Sequence, residues 1–120
     1  MLNNTESGKI QSTKVKEDLN PQLETEHALR YNKGKPKWSY VHYKSLEPMI
    51  KVLEYGALKY SPFNWQKPMP LNEILESMQR HLASLMDGEL IDAESGISHM
   101  GHIQANAMFY NYHVERLKNK

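Results

Sequence analysis

At 120 residues, with 39% hydrophobic and 24% charged side chains, the chain holds material for one lean core and one domain, not two. It contains no cysteine, which excludes disulfides, thiolate-ligated zinc and cysteine nucleophiles. Its formal charge of +1 fits a nucleic-acid backbone poorly, and no apolar run nears the roughly 18 residues of a membrane span. With no charged-then-apolar leader pattern, these features predict a cytoplasmic protein with no nucleic-acid or membrane partner.

In chain order, residues 1–28 read as a flexible polar tail. The stretch up to His27 has three basic and five acidic residues, few large apolar ones and no sustained period. Such a segment cannot bury enough surface to offset its ordering entropy. The folded domain is expected over residues 29–120. It opens with RYNKGKPKWSY, a loop by its Gly34 and Pro36, with Arg30, Lys33, Lys35 and Lys37 interleaved with Tyr31, Trp38 and Tyr40. A solvated basic turn and a phosphate-binding segment explain it equally well.

Three helices follow. The first is predicted over Ser45 to Tyr60, with Ser45 as N-cap, Glu47 and Pro48 in the first turn, and Leu46, Ile50, Leu53 and Ala57 along one side. SPFNWQKPMP breaks the chain through Pro62, Pro68 and Pro70. The second helix is predicted over Asn72 to Met86, with Ile74, Leu75, Met78, Leu82, Leu85 and Met86 as its apolar arc. DGELIDAESG is a polar connection, and the third helix is expected to start between Asp92 and Ser95 and to reach about Leu117. No strand pattern of useful length and no repeat is present, so the fold class is all-α, a small helical bundle. So short a bundle cannot hide all its apolar surface, which predicts a homo-oligomer, a dimer or tetramer.

The third helix carries the most chemistry. Ser95, His99, His102 and Asn106 recur at steps of four, three and four and share one helical face. Two histidines at that spacing, following Asp92 and Glu94, can hold a metal ion or reach a phosphate; surface or hydrogen-bonded structural histidines are the plain alternative. On the first helix Glu47 and Glu54 share a face with Lys51 between them, which also describes surface ion pairs. Glu54 is the stronger functional candidate, because it interrupts the apolar run VLEYGALKY, and Gly56 allows close approach to the backbone. His81 falls at the inner edge of the second helix, as a site residue or as a core histidine with one good partner; Glu76 points outward. Carboxylates and imidazoles beside basic residues suit metal-assisted phosphoanhydride hydrolysis, with Mg²⁺ preferring oxygen donors and Mn²⁺ also accepting imidazole. No GxxxxGK[ST] loop occurs, which excludes a P-loop enzyme.

The segments RYNKGKPKWSYV, LEPMIKVLEYGALKYSPFNW, RHLASLMDGELIDAESG and HMGHIQANAMFY, in this order from about Arg30 to Tyr112, resemble the phage and bacterial dATP/dGTP diphosphohydrolases. That family is a branch of the MazG-like all-α nucleoside triphosphate pyrophosphohydrolases. The resemblance implies a MazG-like helical bundle, dependence on a divalent metal (Mg²⁺ or Mn²⁺), oligomeric assembly, and cleavage of a purine deoxynucleoside triphosphate to the monophosphate and pyrophosphate. It further implies Glu54 as an acidic metal ligand, with Asp92 and Glu94 as further carboxylates; an enzyme built on this site would add His102 as a metal ligand and use Glu54, His81 and His99 in catalysis. Lys35, Lys37 and Lys59 would contact polyphosphate, Trp38 or Trp65 would stack on the base, and Asn64 and Asn106 would contact substrate. His99 and His102 stand where the broader MazG-like pattern has an acidic pair, and the first-helix acids are seven apart rather than three. The scarcity of carboxylates on that face leaves a second expectation open, a phage protein that sequesters a nucleotide without cleaving it.

Overall fold

In the computed structural model, which describes residues 26–119, the first helix (α1, Glu47–Lys59) forms where Pro48 presets the first turn. Glu47 and Lys59 lie at the ends where their charges complement the helix dipole. Ser45 is not its cap. The 3₁₀ turn Tyr43–Leu46 leads directly into α1, and Leu46 holds the cap position with no side-chain hydrogen bond. Tight i→i+3 bonding at the entrance replaces the cap that Ser45 was expected to give.

The second helix (α2, Leu71–Met86) begins on the Pro70 carbonyl, one residue before the expected start. Its C-terminus closes with a Schellman pair: Gly88 N–H donates to Leu85 O and Glu89 N–H to Ser84 O, each at 2.9 Å. Gly88 sits at φ +95°, where a β-carbon would be strained.

The third helix (α3, His99–Lys118) starts later than expected. Residues 92–97 form a tight loop closed by Asp92 N–H to Ile97 O (2.9 Å), His99 N–H to Leu90 O (3.0 Å) and an isolated antiparallel bridge between Ile91 and Ser98. Gly96 at φ +74° prevents helix through this loop. Ser98 is the true cap, its Oγ accepting Gly101 N–H at 3.0 Å. Among the described residues that bridge is the only β pairing, so the fold is all-α with three α-helices.

α3 packs against both α1 and α2 and is the central helix. It approaches α1 closely at Gly101, where a β-carbon would lie 2.8 Å from Pro48 O. Among the described residues the buried hydrophobic side chains are Ile74 and Ala105, and His99 and His113 are buried with them. His113 is fully enclosed and satisfied at both nitrogens: Arg116 Nε donates to its Nδ1 (3.0 Å), so Nε2–H donates to the Trp65 carbonyl (2.8 Å). Many other apolar side chains are open to solvent, among them Leu58 at 90% and Met86 at 80% exposure.

The chain divides into two units, one ending at His42 and one running from Tyr43, which holds all three α-helices. The described part of the first unit is exposed throughout. It has a turn closed by Lys35 N–H to Asn32 O, with Gly34 at φ +81°, and a 3₁₀ turn at Trp38–Tyr40. The tail expectation falls mostly on residues 1–25, outside the described ones. Among the described residues no helix is long and apolar enough to cross a membrane.

Candidate active site

α1 and α2 flank α3, and the residues between them line a cavity of about 450 Å³, within the range of small-molecule sites. Tyr55, Gly56 and Lys59 of α1 contribute, as do Phe63, Asn64 and Trp65 of the connection. α2 adds Ser77, Arg80 and His81, the 92–97 loop adds Asp92 and Glu94, and α3 adds His102, Asn106 and Phe109. A β-carbon built on Gly56 meets nothing within 4 Å, so the missing side chain leaves that part of the cavity open.

The histidines form one cluster. His102 stacks on His81 with ring centroids 4.4 Å apart and planes 5° from parallel. His81 Nδ1 lies 2.8 Å from His99 Nδ1, and His99 Nε2 lies 3.0 Å from Glu89 Oε1. Ligand atoms of His81, Asp92 and His99 all fall within 4.8 Å of one another, a spacing that one metal ion can span. Two imidazoles and a carboxylate fit a borderline divalent cation better than a hard one such as Mg²⁺.

Asp92 is held by the loop it begins. Its Oδ2 accepts from Ser95 N–H (3.0 Å) and from Ser95 Oγ–H (2.7 Å). Since that hydroxyl proton points to Asp92, Ser95 Oγ accepts from His102 Nε2 (2.7 Å). Ser95 is therefore a bridge between acid and imidazole and not an activated nucleophile. It reaches His102 from the loop and not from the shared helical face that its spacing predicts.

Burial, then the neighbouring His102 and His99, push the His81 pKa below its ordinary 6.5. Burial likewise lowers that of His102, with Asp92 partly opposing. For Asp92 burial acts upward, but the two bonds from Ser95 with His102 and His81 outweigh it and the net direction is down. The folded protein thus binds fewer protons than the unfolded chain as its histidines titrate. The contribution of His81 and His102 is intact above pH 6.5 and is lost as pH falls through their depressed values. The Asp92 contribution persists to lower pH, above its ordinary 3.8, and is lost below that. In chelator-containing buffer the melting temperature should therefore be lower at pH 5.5 than at pH 7.5; an equal or higher value at pH 5.5 would contradict this assignment.

Lys59 stands over the rings of Tyr55 and Tyr60 and pairs with Glu94 at 3.4 Å; the Tyr60 phenol and the Glu94 carboxylate raise its pKa. Trp65 stacks on Phe109 (centroids 5.1 Å, 22°) and meets the edge of Tyr112. Phe63 holds φ +64°, a left-handed conformation costing on the order of 1–3 kcal/mol in a bulky residue, and lines the cavity. Asn106 Nδ2 donates to His102 O (2.9 Å) and Ser77 Oγ (3.2 Å), which fixes the orientation of its amide.

Of the residues singled out from sequence, Lys59, Asn64, Trp65, His81, Asp92, Glu94, His102 and Asn106 line this one cavity, and His99 lies behind His81. Glu54 does not join them: it is exposed and absent from the lining. Lys35, Lys37 and Trp38 belong to the first unit, where all three are exposed. Sequence reasoning missed Glu89, Phe109 and the role of Arg80.

A family profile described as dATP/dGTP diphosphohydrolase, N-terminal, matches residues 25–120. A protein of Salmonella phage PMBT28 named dATP/dGTP diphosphohydrolase is 28% identical over 81 residues, which cover 68% of this chain. The chain spans only 28% of that relative's length. No solved structure matches.

Proposed function

Because the chain belongs to the dATP/dGTP diphosphohydrolase N-terminal family, we propose that its cavity binds a purine deoxynucleoside triphosphate, dATP or dGTP, and hydrolyses it to the monophosphate and pyrophosphate. The observation that carries this reading is the meeting, in one cavity, of the His81–Asp92 pair, the cations Lys59 and Arg80, and the aromatic wall of Trp65 and Phe109. His81, Asp92 and His99 would hold a divalent cation, Mn²⁺ in preference to Mg²⁺ by their mixed donors. Bound there, the cation neutralises phosphate oxygens and lowers the pKa of a water. Lys59 and Arg80 contact the polyphosphate and stabilise the leaving pyrophosphate. When phosphate draws Lys59 away, Glu94 is released to orient the attacking water. The water oxygen would bond to the α-phosphorus and give up its proton to Glu94 as the α–β anhydride bond breaks and pyrophosphate leaves. Trp65, Phe109 and Phe63 offer faces for the purine, and Asn64 and Asn106 offer polar contacts to base or sugar. Lys35, Lys37 and Trp38 remain candidates for further phosphate and base contacts. Glu54 has no part in this scheme. Exposed Leu58 and Met86 support burial against a second copy, hence a homo-oligomer.

The cavity lining holds two carboxylates, Asp92 and Glu94, and the second is paired with Lys59. That scarcity favours a second reading, in which the nucleotide is sequestered and not cleaved. Incubation of the full chain with dATP or dGTP, with Mn²⁺ or Mg²⁺, separates the two when pyrophosphate is measured. Release that is faster with Mn²⁺ supports hydrolysis. Tight binding without release supports sequestration, and neither binding nor release overturns both.

A further inference from the structure

Glu89 lies within the segment RHLASLMDGELIDAESG but was given no role from the sequence, and its placement is closely determined. The Schellman pair that ends α2 fixes its backbone, with Glu89 N–H on Ser84 O. Leu90, the next residue, accepts the N–H of His99. The start of α3 is thereby tied to the end of α2, and Glu89 Oε1 meets His99 Nε2 at 3.0 Å. His99 is 3% exposed and the Glu89 carboxylate that meets it is half-exposed.

We propose that Glu89 is a positioning residue that holds the His99 imidazole in its Nε2–H form, so that the Nδ1 lone pair faces His81 and Asp92. This inference rests on the reading of that cluster as a cation site. An ionised carboxylate can only accept, so the proton of a neutral His99 resides on Nε2. The other nitrogen then accepts the His81 Nδ1 proton across 2.8 Å in the metal-free protein. A cation held by both nitrogens would need both lone pairs, so this shared proton would have to leave on binding. Without the carboxylate, His99 can put its proton on Nδ1 and turn a donor N–H toward the cluster, which repels a cation. Carboxylate partners of metal-binding histidines typically change metal affinity by about 10- to 100-fold.

The test compares the full-length protein with Glu89→Gln, Glu89→Asp and the control Glu76→Gln on the exposed side of α2. Long-range ¹H–¹⁵N spectra of the metal-free proteins report the His99 tautomer, and calorimetric titration with Mn²⁺ reports affinity. We expect Nε2–H in the wild type and in Glu76→Gln, and a mixture in Glu89→Gln with Mn²⁺ affinity about 10- to 100-fold lower. Partial recovery in Glu89→Asp separates loss of the carboxylate from general disturbance. A wild-type His99 protonated at Nδ1, or a Glu89→Gln protein with unchanged tautomer and affinity within twofold, overturns the proposal. A wild type that takes up no Mn²⁺ overturns the cation reading, while the tautomer comparison, made without metal, still decides the role of Glu89.

Discussion

Asp92→Asn should reduce cation-dependent pyrophosphate release by about 10²- to 10³-fold while the metal-free protein keeps its fold. One several-kcal/mol interaction with the cation is removed, and each 1.4 kcal/mol corresponds to about tenfold in rate. The amide retains an oxygen that can still accept from Ser95 N–H and Ser95 Oγ, the two bonds that shape the 92–97 loop. What disappears is the negative charge. Its loss leaves His81 and His99 as the remaining donors of the cluster and weakens Mn²⁺ binding in parallel with turnover. Turnover, Mn²⁺ affinity and melting temperature in chelator should be measured together. Near-normal turnover would make Asp92 a loop-forming acid and no more. A large drop in melting temperature would mean that its charge, and not its oxygen, holds the loop.

Gly101→Ala should destabilise the protein even though alanine is the better helix former by about 1 kcal/mol. The new β-carbon would sit 2.8 Å from Pro48 O, 2.9 Å from Pro48 C and 2.9 Å from Pro48 Cβ. None of these atoms ends a flexible side chain, so relief requires α1 and α3 to move apart. Overpacking of this kind costs about 1–3 kcal/mol, which exceeds the propensity gain over most of its range. The difference, a net loss of up to about 2 kcal/mol, lowers the melting temperature of a domain this size by up to roughly 16 °C. Separation of α1 from α3 also widens the cavity between Lys59 and His102, so nucleotide affinity should fall with stability. A gain in melting temperature would show that the two helices do not touch there.

The helices were legible because their apolar residues recur at helical spacing and prolines punctuate the gaps. The same periodicity brought His102 and Asn106 to one wall of the cavity. It failed at Ser95, because a helix was extended backwards through residues that form a loop. The signal that corrects it was present: Gly96 marks a left-handed position, and Ser98 followed by Gly101 supplies a cap. Glu54 illustrates a different limit. From Val52 to Ala57 every residue of α1 but Glu54 lines the cavity, and Glu54 is exposed. An acid inside an apolar run indicates a buried group only if the whole circumference is covered, and here it is not. Glu89 was beyond reach for a third reason. The Asp87–Gly88 pair announces a helix end, but which side chain that end delivers to His99 depends on how α2 and α3 pack.

α3 presents His99, His102, Asn106, Phe109 and His113 at alternating steps of three and four, the seam that a bundle ordinarily fills with aliphatic side chains. Three imidazoles and an amide there leave little apolar burial to hold the helices together. An occupant of the cavity then becomes part of the interior that folding builds. By mass action, an occupant that binds only the folded chain adds about 2.7 kcal/mol of stability at one hundred times its dissociation constant. Folded chain that is occupied spends less time open to proteases than folded chain that is empty. The abundance of this protein in a cell should therefore rise and fall with the supply of whatever fills its cavity.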